Sequence, residues 1–151
     1  MKYLVTGGAG FIGFKLVTAL IDTDAEVVVV DNFSDQIHGD LAVESTINKF
    51  LSENTRLYNC DMGLLSESSA IANIDYFFHL ASETGTGQSM YEHQKYIDVN
   101  VSEYTNILSK VIQHSPNLSG VFVAGSRSIY GEGMYLNPEN GSILSGFMVP
   151  K

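Results

Sequence analysis

The feature that most constrains this chain is a glycine-rich segment. It separates a short continuous apolar run from a stretch in which apolar residues recur at helical spacing. Residues 6–13 read Thr-Gly-Gly-Ala-Gly-Phe-Ile-Gly. The short apolar run at residues 3–6 predicts a buried strand that ends at the glycines. Behind the glycines, apolar residues recur at helical spacing: Phe11, Ile12, Leu16, Val17, Leu20 and Ile21. A strand that turns through glycines directly into a helix is typical of the first unit of a parallel α/β sheet.

The alternation of strand and helix continues along the chain. Residues 26–30 contain four consecutive valines, which predict a second strand because β-branched residues pack well in sheets. Further strands are predicted at residues 56–60, 75–80 and 120–124, and helices at 40–52, 64–72 and 92–114. Beyond Gly125 the apolar residues show no strong periodicity. Right-handed crossovers then predict a doubly wound α/β fold, with a parallel sheet of about five strands in the order 3-2-1-4-5.

Composition narrows the functional classes. The 151 residues predict one domain, and 44% hydrophobic against 17% charged residues is typical of a globular chain. The net charge of −9 argues against a nucleic-acid partner, which requires clustered lysine and arginine. No apolar run reaches the roughly 20 residues of a membrane helix, so we expect no membrane partner. The single cysteine, Cys60, and an N-terminus unlike a signal peptide predict a cytoplasmic location, and we predict no metal site.

The glycine segment also predicts a phosphate site. It contains Gly8-x-Gly10-x-x-Gly13 and the wider Gly7-x-x-Gly10-x-x-Gly13. Such glycines permit a tight turn, a close approach of backbone to a pyrophosphate, and close packing of helix on strand. The N-terminus of the helix then offers free N–H groups to the phosphates. The candidate cofactor-binding residues here are Gly7, Gly10, Phe11, Ile12 and Gly13, although a glycine-rich turn without a ligand is the alternative.

Two acids follow predicted strands. Asp31 lies eighteen residues after Gly13, at the end of the second strand. An acid at this place accepts hydrogen bonds from an adenosine ribose and repels a 2′-phosphate, so it favours NAD over NADP. A turn cap is the alternative function of Asp31. Asp61 follows the third strand and could bind the adenine amino group while Met62 flanks the ring, or it could be a simple loop acid.

Together these segments resemble the extended short-chain dehydrogenase/reductase family, and within it the NAD-dependent nucleotide-sugar epimerases and dehydratases. The matching segments lie at residues 6–13, 31–34, 61–62, 79–81, 100–101 and 126–131, and together they span about residues 2–141. Residues 83–91 look most like sugar 4-epimerases of the deoxythymidine-diphosphate-rhamnose type. The resemblance implies that residues 1–151 form a Rossmann domain that binds NAD, with Asn32 among its cofactor contacts.

The resemblance implies roles for further residues. Leu80, Ala81 and Ser82 would pass beneath the cofactor ribose. Asn100 would brace the active site from within the long helix, although a solvated helical asparagine is the alternative. Ser126 would be the catalytic serine that hydrogen-bonds the reacting sugar hydroxyl. We interpret His79, within the fourth strand, as a structural histidine, with a general base as the alternative.

The family also uses a Tyr-x-x-x-Lys motif after the serine, and the sequence contains none after Ser126. The string from Tyr91 to Lys95 precedes Ser126, so we interpret it as unrelated to catalysis. Family members are about twice as long. We therefore expect the cofactor half of such an enzyme, which takes a nucleotide sugar only if a second lobe or a partner chain is supplied. A non-catalytic NAD-binding module and a fragment of an ordinary epimerase are the alternatives.

The predicted fifth strand would lie at a sheet edge and is apolar at Val121, Phe122 and Val123. Such an edge invites pairing. We expect either that the apolar tail at residues 143–149 folds over the edge or that the chain forms a homo-oligomer. The interface of the oligomer would be this edge or the long helix at residues 92–114.

Overall fold

The computed structural model describes residues 1–50, 53–65, 68–85, 87–126, 129 and 133–145. The strands are β1 Lys2–Thr6, β2 Glu26–Asp31, β3 Thr55–Asn59, β4 Tyr76–His79, β5 Gly120–Val123, β6 Met134–Leu136 and β7 Ile143–Ser145. The α-helices are α1 Phe11–Ile21, α2 Asp35–Phe50, α3 Ser68–Ile71, α4 His93–Ile97 and α5 Tyr104–His114. Short 3-10 helices occupy Met62–Leu64 and Gln88–Met90, and a π-helix occupies Asp98–Glu103.

Five parallel strands form the main sheet in the order β3-β2-β1-β4-β5. The first strand of the chain is central, so that Leu4 lies beside Val28 on one side and Phe77 on the other. This arrangement confirms the predicted fold class and strand order. Each strand also lies within about one residue of its predicted bounds.

Both faces of the sheet are covered by apolar side chains, as expected for parallel strands. The valines of β2 alternate between the two cores. Val28 and Val30 pack with residues of α3 and α5, whereas Val27 and Val29 pack with residues of α1 and α2. The uninterrupted valine run is therefore a consequence of burial on both sides.

Two predicted helices differ from the structure. The helix predicted at residues 40–52 begins earlier, at Asp35, and its helical geometry is broken at Gly39, where φ is 56°. Only glycine adopts such a backbone without strain, so the apparent loop before the helix is a helical turn followed by a kink. The helix predicted at residues 64–72 is divided into the 3-10 helix Met62–Leu64 and α3, because Leu65 has extended backbone angles.

The long helix predicted at residues 92–114 exists as one helical run from His93 to His114, but it is not uniform. Its middle turn, Asp98–Glu103, is a π-helix. A π segment rotates the side chains that follow it relative to a regular helix, and such segments often occur at functional sites. Sequence periodicity did not indicate this change.

Beyond β5 the chain forms a small hairpin that the sequence did not reveal. Strand β6 pairs antiparallel with β7, in a sheet of its own. Ile143 therefore pairs with Leu136, and within the described residues the tail adds no strand to β5. The apolar residues 147–149 lie outside the described residues. Within the described residues β5 pairs only with β4, and Phe122 is 51% exposed.

In the described part of the chain, no helix combines the length and the apolar character that crossing a bilayer requires.

A buried serine connects α5 to the turn before β4, and it provides a test of the fold. Ser115 is 2% exposed; its hydroxyl accepts the N–H of Ile74 at 2.9 Å and donates to the carbonyl of Ile71 at 2.9 Å. We expect Ser115→Ala to lower the free energy of unfolding by about 1–3 kcal/mol, since the Ile74 N–H loses its acceptor. Chemical denaturation measures this change.

The matched control is Ser109→Ala. The Ser109 hydroxyl is exposed and donates only to the carbonyl of Thr105, within its own helix. We expect its removal to change the free energy of unfolding by less than about 0.5 kcal/mol. Equal losses in the two variants would contradict the structural role of Ser115.

Candidate functional site

A cleft of about 190 Å³ lies at the carboxyl end of the main sheet. Its walls are the segments that follow β1, β2, β3 and β4, together with the π-helix. Ligands of open α/β sheets bind at this end of the strands. The residues predicted from sequence that line the cleft are Gly7, Gly10, Asp31, Asn32, Asp61, Met62, Leu80, Ala81 and Ser82.

The glycine turn presents bare backbone to the cleft. Gly7 has a φ of 68°, and a Cβ at this position would lie 2.6 Å from the backbone nitrogen of Ala81. A Cβ at Gly13 would collide with the carbonyl of Gly7, so Gly13 allows α1 to pack against the turn. Gly10 is the N-cap of α1 and carries no side chain that could cap the helix. The first N–H groups of α1 are therefore left for a ligand.

Phe11 and Ile12 begin α1 but do not line the cleft. The Phe11 side chain is 90% exposed, and Ile12 is exposed as well. These two residues can contribute backbone N–H groups to a phosphate site, while their side chains remain on the surface of the described structure.

The Asp31 carboxylate fixes the cleft beside the glycine turn. One oxygen accepts the backbone N–H of Ala9 at 2.9 Å, and the other accepts the N–H of Phe33 at 2.9 Å. The bond to Phe33 is the turn-capping bond that the sequence offered as an alternative. The bond to Ala9 ties β2 to the glycine turn, and nothing in the residue pattern indicated it. Asp31 therefore caps a turn and also lines the cleft.

At the next strand, the side-chain amide of Asn32 donates to the Asp61 carboxylate at 2.8 Å. This bond joins the end of β2 to the end of β3. Met62 borders the cleft, yet its side chain is buried in the core that contains Leu65 and Ile107. Asp61 is exposed at the rim, whereas Met62 is mainly a core residue.

Glu103 also lines the cleft and was not predicted. Its carboxylate accepts the N–H of Gly63 at 3.2 Å. Burial raises the pKa of Glu103, and the nearby carboxylates of Asp61, Asp98 and Glu83 raise it further, against the hydrogen bond from Gly63. Glu103 follows Asn100 by three residues on one helical run, so helical spacing from Asn100 was the signal that could have identified it.

Asn100 holds the segment after β4 through two hydrogen bonds to one residue. Its side-chain oxygen accepts the Glu83 N–H at 2.8 Å, and its side-chain nitrogen donates to the Glu83 carbonyl at 3.1 Å. The Glu83 carboxylate in turn lies 3.1 Å from the Lys95 ammonium. Asn100 thus positions the backbone that continues from Leu80 and Ala81 along the cleft.

The Lys95 contact also bears on the Tyr91-to-Lys95 string. The hydrogen bond to Glu83 raises the pKa of Lys95, and Glu92 lies at 4.0 Å from the same ammonium. Tyr91 is exposed, and neither Tyr91 nor Lys95 lines the cleft.

His79 is buried within β4 and is not among the residues that line the cleft. Its Nδ1 lies 2.8 Å from the Thr6 hydroxyl, and its ring stacks on Tyr104 with the centroids 4.4 Å apart. Burial lowers the pKa of His79 to about 4. These contacts fit a structural histidine that links two strands to the long helix.

Ser126 lies three residues beyond the end of β5 and is not among the residues that line the cleft. It is exposed, and its carbonyl accepts the N–H of Ile129 at 3.2 Å. The remainder of its motif, residues 127, 128, 130 and 131, lies outside the described residues. The role of Ser126 as the catalytic serine therefore stays a prediction.

The electrostatics of the cleft are acidic. Its described lining includes the carboxyl groups of Asp31, Asp61, Glu83 and Glu103 but no lysine or arginine. A phosphate would therefore depend on backbone N–H groups and the dipole of α1. Among the described residues, no group of three or more His, Cys, Asp or Glu could hold a metal ion.

A glycine turn that opens a helix, beside an acid at the end of the second strand, defines the class of dinucleotide-binding α/β proteins. Comparison with known proteins identifies the family within that class. A model of the NAD dependent epimerase/dehydratase family matches residues 3–150, and the chain belongs to this family.

Individual relatives agree with the assignment. The chain is 34% identical to the dTDP-L-rhamnose 4-epimerase of Burkholderia thailandensis, over 96% of this chain and 40% of the relative. Among solved structures, it superposes on a UDP-N-acetylglucosamine 4-epimerase from Methanobrevibacter ruminantium with a TM-score of 0.72 and 28% identity, covering 92% of this chain and 41% of that one.

A Bacillus cereus UDP-glucuronic acid 4-epimerase, solved with UDP-glucuronic acid and NAD, gives a TM-score of 0.72 at 26% identity. That match covers 95% of this chain and 46% of the relative. The chain thus spans somewhat less than half the length of these relatives.

The buried His79 predicts a pH dependence of stability. In the unfolded chain a histidine binds a proton below about pH 6.5, whereas folded His79 stays neutral until about pH 4. Between these two pH values the unfolded state binds more protons than the folded state. The free energy of unfolding therefore decreases as the pH is lowered, by up to about 1.4 kcal/mol per pH unit. We expect His79→Gln to show a shallower fall in denaturation experiments across this range.

The control for this experiment is His93→Gln, since His93 is exposed at the start of α4. It should keep the pH dependence of the wild type. An NMR titration of the His79 ring in the wild type gives a second measurement that does not depend on the variant folding. Protonation of that ring near pH 6.5 would contradict the prediction.

Proposed function

We propose that this chain binds NAD in the cleft and forms the cofactor-binding part of a nucleotide-sugar epimerase or dehydratase. One observation carries the proposal: the uncapped start of α1, bare of side chains at Gly7 and Gly10, lies beside the fixed carboxylate of Asp31. This cradle suits a dinucleotide, since glycine backbone without side chains lets a pyrophosphate approach the helix N-terminus closely. The pyrophosphate would lie against the N–H groups of Phe11 and Ile12, and the adenosine ribose against Asp31.

The remaining candidates fit the two ends of the same cofactor. Asn32 and Asp61, joined by their hydrogen bond, border the adenine end, and Met62 forms its floor. The backbone at Leu80, Ala81 and Ser82 borders the nicotinamide ribose. Asn100 contributes by holding that backbone through Glu83.

Bound NAD supplies a hydride acceptor and donor for a sugar carbon. Ser126 would hydrogen-bond the reacting hydroxyl of the sugar. A tyrosine that takes up the proton needs help to ionise, because the ordinary pKa of a phenol is about 10. The 151 residues contain no Tyr-x-x-x-Lys after Ser126. We therefore propose that a nucleotide sugar is bound and converted only when a second lobe or a partner chain completes the site.

A second candidate is an NAD-binding module without turnover, which would use the same glycine turn and Asp31 carboxylate. The relatives include a 4-epimerase and, at 36% identity, a probable dTDP-glucose 4,6-dehydratase from Sinorhizobium fredii, so either reaction class is compatible with the fold. A cytoplasmic location belongs to the same proposal, supported by the unpaired Cys60.

The test of the proposal is calorimetry of the 151-residue chain with NAD, followed by an assay of nucleotide-sugar conversion. We expect saturable binding of NAD at one site and no turnover. Absence of NAD binding would overturn the proposed function. Turnover by the chain alone would overturn the requirement for a second lobe or a partner chain.

Asp31→Ala sharpens this experiment. Losing charge-assisted hydrogen bonds of about 1.5–3 kcal/mol should weaken NAD binding by roughly ten- to a hundred-fold and reduce the preference over NADP. Asp22→Ala removes the same charge at the far end of α1 and should bind NAD as the wild type does. Asp31→Asn retains an acceptor for the Ala9 N–H, and circular dichroism of both Asp31 variants verifies folding. Unchanged affinity and preference in folded variants would exclude Asp31 from the site.

We also propose that the chain self-associates, either through the outer edge of β5 or through the long helix. The edge is apolar and exposed at Val121, Phe122 and Val123, and within the described residues no strand covers it. The helix exposes its own apolar side chains: Ile97, Val101 and Ile112. Soluble monomers rarely leave such surfaces uncovered.

Light scattering on size-exclusion fractions distinguishes the two interfaces. Phe122→Lys places a charge at the strand edge, and Val101→Asp places one on the helix, so each variant is the control for the other. We expect one of them to convert the oligomer into a monomer while the other leaves it intact. A wild-type chain that stays monomeric at every concentration would contradict self-association.

A further inference from the structure

One basic side chain shares the cleft and has no role in the function proposed so far. His38 lies in the first turn of α2, directly before the kink at Gly39, and lines the cleft together with Gly7 and Gly10. Among the described residues that form the lining, it is the only one that can carry a positive charge.

The position of His38 relative to Asp31 is defined by close contacts. Its Nε2 lies 3.4 Å from an oxygen of the Asp31 carboxylate, and each of the two side chains is 7% exposed. The ring also packs against Phe33, with the ring centroids 5.2 Å apart. The backbone N–H of His38 donates to the carbonyl of Ser34 at 3.0 Å, which closes the turn beneath the ring.

A ligand that reaches the Asp31 carboxylate therefore meets the His38 imidazole. Two hydrogen bonds from Ala9 and Phe33 already occupy Asp31, one on each oxygen. Each carboxylate oxygen can accept a second bond, and the ring of His38 adjoins the oxygen that also binds Phe33. The ribose end of the cleft is thus formed by an acid and a base in contact.

Apart from His38, the charged groups of the described cleft lining are all carboxyl groups. The titratable groups that face the cleft beside His38 and Asp31 are the thiol of Cys60 and the carboxyl groups of Asp61, Glu83 and Glu103. A 2′-phosphate, which carries a charge of about −1.5 to −2, would be repelled by these carboxylates. Only the His38 ring could offset that repulsion from within the described lining.

We propose that His38 is a specificity-determining residue of the cofactor site, which sets the preference for NAD over NADP according to its own charge. The inference rests on the proposed function, since it assumes a dinucleotide whose adenosine ribose lies at Asp31. With a neutral imidazole, Asp31 accepts the 2′-hydroxyl of NAD and repels the 2′-phosphate of NADP. With a protonated imidazole, a cation pairs with Asp31, and the site tolerates the phosphate.

Binding of both cofactors at two pH values tests this proposal. Calorimetry gives the dissociation constants of NAD and NADP at about pH 8 and about pH 5.5. The measured quantity is the ratio of the NADP constant to the NAD constant. In the wild type we expect this ratio to fall on acidification by about tenfold more than in His38→Gln, which keeps a polar side chain of similar size but cannot be charged.

The glutamine variant also corrects for the ligand, because the 2′-phosphate itself takes up a proton near pH 6. His38→Arg supplies a permanent cation and should give a low ratio at both pH values, so the proposal stays testable if the glutamine variant fails to fold. His93→Gln, at an exposed site on α4, should behave as the wild type does.

The outcomes separate the inference from the function on which it rests. A ratio that changes with pH by the same factor in the wild type and in His38→Gln, while NAD still binds, would overturn the role of His38 alone. A high ratio at both pH values in a folded His38→Arg variant would do the same. Failure of the wild type to bind either cofactor at either pH would overturn both proposals.

Discussion

The cleft depends on the hydrogen bonds that the Asp31 carboxylate makes to the backbone of Ala9 and Phe33. Through them a single side chain joins the glycine turn after β1 to the turn after β2. The glycine turn itself carries no polar side chain that could fix it in place, because its function requires bare backbone. The carboxylate therefore supplies the order that the glycines lack, and it also lines the cleft.

The second wall of the cleft is ordered in an analogous way. Asn100 uses both ends of its amide to bind the backbone of Glu83, so the segment after β4 is held from the long helix. The π turn that contains Asn100 also places Glu103 against Gly63, beside the end of β3. In both walls, polar side chains from one element hold the backbone of another. The walls of the candidate site are thereby held by contacts within the chain itself.

Much of this architecture follows from local sequence. The strand order was predictable because the valine run of β2 can only be buried on both faces, and because right-handed crossovers leave few topologies. The glycine spacing and the acid at Asp31 located the cleft. What could not be predicted depends on geometry between distant residues. The π turn at Asp98–Glu103 keeps an ordinary helical pattern, and the kink at Gly39 resembles a loop in sequence. The contact of His38 with Asp31 joins side chains of two different elements.

The absence of Ser126 from the cleft lining bears on how binding and catalysis are distributed along the chain. Every residue that we propose to contact or brace NAD lies at or before Glu103, on segments tied together by hydrogen bonds within the described chain. Ser126 instead follows β5, whose outer edge has no neighbouring strand in the described structure. A dinucleotide site can thus be complete without Ser126, the group that would meet the sugar. Whatever covers β5 would lie close in sequence to Ser126, so the same surface would bear on assembly and on the chemistry of the sugar.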